Sequence, residues 1–110
     1  MKIALTTTAP DLNAPLDPRF GRCAYILLID VDTMEYQSYP NPANNAPGGA
    51  GIKMAQFVAE LKPDAVISGD FGPNASDALR AANLSLYLYG NSQTVEEVIA
   101  NFKSGNLKKV

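Results

Sequence analysis

Apolar positions along the chain fall into short blocks whose period switches between extended and helical, separated by loops dense in proline, glycine and asparagine. Residues 3–8, Ile-Ala-Leu-Thr-Thr-Thr, predict a first strand. Residues 9–22 carry Pro10, Asp11, Asn13, Pro15, Asp17, Pro18 and Gly21, which neither a helix nor a central strand tolerates, so a loop follows. Ala24 to Asp30 predicts a buried strand and Glu35 to Tyr39 its hairpin partner, joined by a turn at Asp30-Val31-Asp32-Thr33. After a second loop from Pro40 to Gly49, Met54, Ala55, Val58 and Leu61 recur at helical spacing over 50–61, and Pro63 ends that helix. Ala65 to Ser68 is a short apolar strand. Pro73 is well placed as the first residue of a second helix, with Ala75, Ala78, Leu79 and Ala82 as its apolar face. Leu84 to Tyr89 predicts a further strand. Thr94-Val95-Glu96-Glu97 matches a capping box opening a last helix that Gly105 would close.

The order β-β-β-α-β-α-β-α, with helical crossovers in its second half and a hairpin at its start, predicts an α/β layer fold on a mixed five-stranded sheet. No repeat, low-complexity tract or linker divides the chain, so residues 1–110 are expected to form one domain. With 110 residues, 46% of them hydrophobic, such a domain needs no metal or disulfide to fold.

Charge and composition narrow the chemistry. Nine basic against eleven acidic residues give a net charge of −2, which argues against a surface built to coat nucleic acid or to lie on a membrane. The longest apolar run, Ala24 to Ile29, is far shorter than a membrane-spanning helix and no signal-peptide core follows Met1, so the expected location is the cytoplasm. There is no histidine, which excludes Ser-His-Asp and Cys-His catalysis and any histidine metal cage. The one cysteine, Cys23, cannot form an internal disulfide or supply a zinc site alone.

If strands one, three, four and five run the same way, one sheet edge gathers their C-terminal ends and the start of strand two. That edge collects Thr6 to Thr8, the Arg19-Phe20-Gly21-Arg22-Cys23 segment, the Asn41 to Gly51 loop, Ser68 to Asn74, and Gly90-Asn91. Ligands of open α/β sheets bind outside the carboxyl ends of the strands. Three helices should begin there, each offering unpaired N–H groups and a positive dipole end. Gly48, Gly49, Gly51, Gly69 and Gly72 would let backbone approach a ligand closely, and Arg19 and Arg22 add two cations, so the loop set predicts an anionic ligand. Each feature also has a plain structural reading. Gly48-Gly49-Ala50-Gly51 fits neither a Walker loop nor GxGxxG and serves equally as a loop leading into a helix. Cys23 reads as a small buried hydrophobe or as a ligand. Arg19 and Arg22 read as anion holders or as surface charges paired with Asp11 or Asp17. Asp70 reads as a cap or loop-orienting group before it reads as catalytic. The five tyrosines alternate along strands as sheet packing.

Taken in order, several segments form a pattern: Met1-Lys2-Ile3-Ala4, Arg19 to Cys23, Asn41-Pro42 with Ala46-Pro47-Gly48-Gly49-Ala50-Gly51, Ser68-Gly69-Asp70-Phe71-Gly72-Pro73-Asn74-Ala75, and Thr94-Val95-Glu96-Glu97 before Gly105-Asn106-Leu107. Over nearly its whole length the chain resembles the dinitrogenase iron-molybdenum cofactor biosynthesis family, the NifX-type nitrogenase accessory domain, and its small stand-alone members in particular. The resemblance implies a three-layer α/β/α, ribonuclease H-like fold and a non-enzymatic role in binding or carrying a metal-sulfur cluster or its precursor. The cargo it implies is an anionic iron-sulfur, iron-molybdenum or molybdenum-copper sulfur cluster, exchanged with a cofactor-assembly protein. Arg19, Phe20, Gly21, Arg22, Cys23, Asn41, Gly48, Gly49, Gly51, Gly69, Asp70, Gly72 and Asn74 are the expected binding residues, with Cys23 the expected metal ligand. Members that hold the iron-molybdenum cofactor are thought to use a histidine, which this chain lacks. Two rival classes stand beside the carrier. A nuclease-like hydrolase would need clustered carboxylates, and the first strand has none. A regulatory module binding a small anion or a protein partner would use the same loops.

Overall fold

The computed structural model describes residues 1–110. Six strands and three helices follow in the order β1 (Lys2–Thr7), β2 (Tyr25–Asp30), β3 (Tyr36–Pro40), α1 (Ala50–Leu61), β4 (Ala65–Ser68), α2 (Pro73–Ala81), β5 (Ser85–Leu88), α3 (Val95–Lys103) and β6 (Lys108–Lys109). They form one mixed sheet in the spatial order β3-β2-β1-β4-β5-β6. β1, β4 and β5 are mutually parallel, while β2 runs antiparallel to both β1 and β3. β1, β3, β4 and β5 therefore end at one edge and β2 begins there, as the sequence predicts.

The central strands are apolar on both faces, and each face takes its own helical layer. Ala4, Ile26, Val66 and Leu86 point to one side, where Met54, Ala55 and Val58 of α1 and Ala75 and Leu79 of α2 cover them. Ile3, Leu5, Leu27, Ile29 and Ile67 point to the other, under Val95, Val98 and Ile99 of α3. The three-layer α/β/α arrangement follows directly: strand alternation sends successive side chains to opposite faces, and each apolar face must be covered.

Local signals operate as expected at most boundaries. The Asp30 carboxylate accepts from the N–H groups of Asp32 and Thr33 and closes the β2–β3 turn, and these bonds hold its pKa below the usual carboxylate range. Pro73 is the first residue of α2. α1 ends with Lys62 in the left-handed region at φ 55°. Thr94 Oγ1 accepts from Glu97 N–H at 3.1 Å, while the Glu97 carboxylate reaches back to Gln93 N–H rather than to Thr94 itself.

The sheet departs from expectation at its far edge, where it has six strands rather than five. β6 is two lysines long, pairs antiparallel with β5, and is extended by a hydrogen bond from Val110 N–H to Leu86 C=O. Main-chain bonds alone hold it, so no hydrophobic period announces it.

Leu79 is fully buried where α2 meets the sheet. Leu79→Ala is expected to lower unfolding stability by about 2–5 kcal/mol in urea titrations, with an unchanged m-value.

Candidate functional site

The loop from Asp17 to Ala24 crosses the sheet edge, and Asp17 fixes its path. Its carboxylate, in a residue only 2% exposed, accepts from Arg19 N–H, from Arg19 Nε at 3.3 Å and from Ala24 N–H. Its backbone closes the other side: Asp17 N–H donates to Thr6 C=O, and Asp17 C=O accepts from the buried Thr6 hydroxyl, whose oxygen is also hydrogen-bonded to the Ser68 hydroxyl at 3.0 Å. The ends of β1 and β4 are thereby tied to the loop.

Past Asp17 the segment lies between the starts of α1 and α2. Phe20 N–H donates to Asp70 C=O, and the Phe20 and Phe71 rings stack at 5.3 Å. Gly21 sits against the first turn of α1 so closely that a Cβ there would lie 3.1 Å from Gly51 Cα. Gly51 faces Ala75 of α2 in turn. Asn41 pins the segment from beneath, its Nδ2 donating to Gly21 C=O and Cys23 C=O, both at 2.9 Å, while its Oδ1 accepts from Ala43 N–H.

This packing brings two helix N-termini onto one cavity of ≈ 240 Å³, lined by Gly49, Gly51, Ile52, Phe71, Gly72 and Asn74 together with Ala50, Pro73 and Ala75. Gly49 precedes α1 at φ 69° and Gly72 precedes α2 at φ 75°, left-handed values that favour glycine, and a Cβ at either would meet open space. Neither residue has a side chain to cap its helix. The N–H groups of Gly51, Ile52, Asn74 and Ala75 accordingly reach no protein acceptor. α3 differs, since Thr94 caps it. Ile52 is 42% exposed at the cavity, an apolar rim beside a floor of backbone donors.

The thirteen residues singled out from the sequence separate by role. Gly49, Gly51, Gly72 and Asn74 line the cavity. Phe20, Gly21 and Asn41 build its wall from behind, and Asp70 orients the loop before α2 by accepting from Gly72 N–H. Gly69 is a packing glycine, because a Cβ there would lie 2.8 Å from Pro18 Cα and 2.7 Å from the Tyr89 hydroxyl. Gly48 faces open space. The two arginines do not line the cavity. Arg19, with its side chain 66% exposed, leans on Asp17, and Arg22 donates to Asn44 C=O.

Cys23 stands apart from the cavity lining. It is fully buried in the α1–α2 side of the core, and burial, reinforced by the negative charge of Asp17, pushes its thiol up to about 12. The enclosed, protonated thiol does not reach the cavity. Nor does any cluster of three or more histidine, cysteine or carboxylate side chains stand elsewhere. Chemically, the uncapped N–H groups and helix dipoles at the cavity suit a negatively charged group. The sequence does not single out Asp17 as the organiser or Ile52 as the rim. The only signals are an Asp-Pro-Arg turn for the first and an apolar residue on the exposed side of a helix start for the second.

Comparison with known proteins bears on the family and the fold. The dinitrogenase iron-molybdenum cofactor family profile matches residues 1–105. The chain belongs to that family. An uncharacterized protein of Methanocaldococcus jannaschii is similar at 30% identity, over 99% of this chain and 91% of that one. The apo form of the orange protein from Desulfovibrio gigas superposes with a TM-score of 0.92 at 33% identity, covering 99% of this chain and 92% of that one. A Thermotoga protein described as a candidate NifB of the DUF35 family superposes at 0.82 with 27% identity, covering 98% and 91%.

Two outcomes follow for the loop. Asp17→Ala leaves buried N–H groups without an acceptor and is expected to lower stability by about 2–4 kcal/mol by urea titration. The Cys23 thiol is raised from an ordinary value near 9.0, so the folded chain keeps its proton where the unfolded chain loses it. The associated stability is complete below pH 9.0 and is lost progressively as pH rises toward 12. Cys23→Ala, measured against the parent across that window, should remove this part of the decline, and the parent thiol should react with Ellman's reagent only on unfolding.

Proposed function

We propose that the protein is a non-enzymatic carrier that holds an anionic metal-sulfur cluster, or its precursor, in the cavity between the N-termini of α1 and α2. The observation that carries this reading is the pair of glycine-capped helix starts opening on one cavity, with four backbone N–H groups directed to no protein acceptor. A helix start of this kind is built for negative charge. The rim contributed by Ile52 and Phe71 suits a sulfide-rich anion, which is weakly hydrated, better than a small oxyanion that keeps its water. Family membership supports the assignment, as does likeness to a protein named orange and described in an apo form. The cargo is then recognised from outside its coordination sphere. Arg19 swings from Asp17 toward it and Arg22 from the Asn44 carbonyl, each as a mobile counter-charge. A cofactor-assembly protein would supply and receive the cluster.

The test is anaerobic incubation with tetrathiomolybdate, with and without copper or iron, followed by the visible spectrum and elemental analysis for Mo, Cu and Fe. Near-stoichiometric metal and a coloured protein are expected. Ile52→Asp and the pair Arg19→Ala with Arg22→Ala should each weaken uptake by at least about tenfold, while Cys23→Ser binds as the parent does. A colourless protein that takes up no cluster but binds inorganic phosphate at the same cavity would replace the carrier with a small-anion module. Loss of binding in Cys23→Ser alone would overturn the outer-sphere mode.

A further inference from the structure

The face of the molecule opposite the cargo cavity carries a second feature that the carrier reading does not use. Alongside α3 runs a groove of ≈ 460 Å³ with Leu12, Met34, Val95 and Ile99 in its walls and Glu96 and Lys103 on its rim. Met34 is 37% exposed and held by a left-handed backbone at φ 64°, which keeps its flexible thioether at the surface. Glu96, Ile99, Ala100 and Lys103 share one stripe of the helix at the spacing used by antiparallel helix pairs. Glu96 and Lys103 lie seven residues, or about 10 Å, apart, too far to pair with each other. Neither forms an ion pair within the chain, whose ion pairs are Met1 with Asp32 and Arg19 with Asp17. The helix dipole favours an acid in the first turn and a base in the last, but it does not select the groove side for both.

We infer that this groove is a self-docking surface, occupied by α3 of a second copy of the chain lying antiparallel across it. The midpoint of residues 96 and 103 falls between Ile99 and Ala100. A twofold axis at that midpoint sets Glu96 of each copy opposite Lys103 of the other, so two ion pairs form at once, with small Ala100 at the centre permitting close approach. Such an interface is self-complementary in charge. The axis lies on the α3 side of the sheet, so the cavities between α1 and α2 stay open in both copies, and the inference stands whatever those cavities bind.

Sedimentation equilibrium on the full chain should show the weight-average mass rising from 11.7 kDa toward twice that value as concentration increases through the micromolar range. Glu96→Lys and Lys103→Glu, each alone, should weaken association by at least about tenfold, since each turns two attractions into repulsions. Combining them restores it, because both cross pairs are rebuilt with their signs exchanged. Ala100→Cys leaves every charge in place and should give a disulfide-linked dimer under mild oxidation, whereas Glu60→Cys on α1 should not. A chain monomeric into the millimolar range, a dimer indifferent to both reversals, or a double variant no better than its parents overturns the inference.

Discussion

Everything at the sheet edge hangs on one enclosed carboxylate. Asp17 is surrounded by groups that donate to it, and its own main chain is bonded to β1, so the loop has one low-energy path across the strand ends. A charge in so dry a place is tolerable only when donors surround it, and three do here. Because the path is fixed, Phe20 reaches Phe71 and Gly21 reaches Gly51, and these contacts set the relative position of the α1 and α2 helix starts. The geometry of the cavity is thus decided by a residue that does not line it.

The two faces of the sheet divide the work. On the α1–α2 side, close approach between helices depends on small residues such as Gly51 and Ala75, and it brings two positive dipole ends together. On the α3 side, Thr94 caps the helix start through Glu97 N–H over a well-filled apolar layer, and the unpaired charges lie along the flank of the helix. Electrostatics at one face concern a helix end, and at the other the side of a helix.

Much of this was legible in the sequence because the signals were local. Strand and helix blocks, Pro73 at a helix start, the Asp30 turn and the Thr94 cap each depend on residues within a few positions of one another. The convergence of Arg19–Cys23, Asn41–Gly51 and Ser68–Asn74 on one edge followed from strand direction alone. Legibility failed where a role depends on what lies across the fold. Gly69 reads as a ligand-contacting glycine, yet it is packed against Pro18 and Tyr89. Cys23 follows an arginine pair in sequence and lies within a hydrophobic layer in space. β6 is formed from charged residues that pair only because β5 offers them a free edge.

The enclosed thiol also bears on how a bound species would leave. A carrier that ligates metal through thiolate must break a metal–sulfur bond at every delivery, and its own sulfur competes with the sulfides of whatever it carries. With the chain's single sulfhydryl sealed beneath Asn41, no such exchange can begin from the protein side. Under the proposed outer-sphere holding, hand-over would be a matter of solvation and counter-charge, and the transferred object would keep its composition through the transfer.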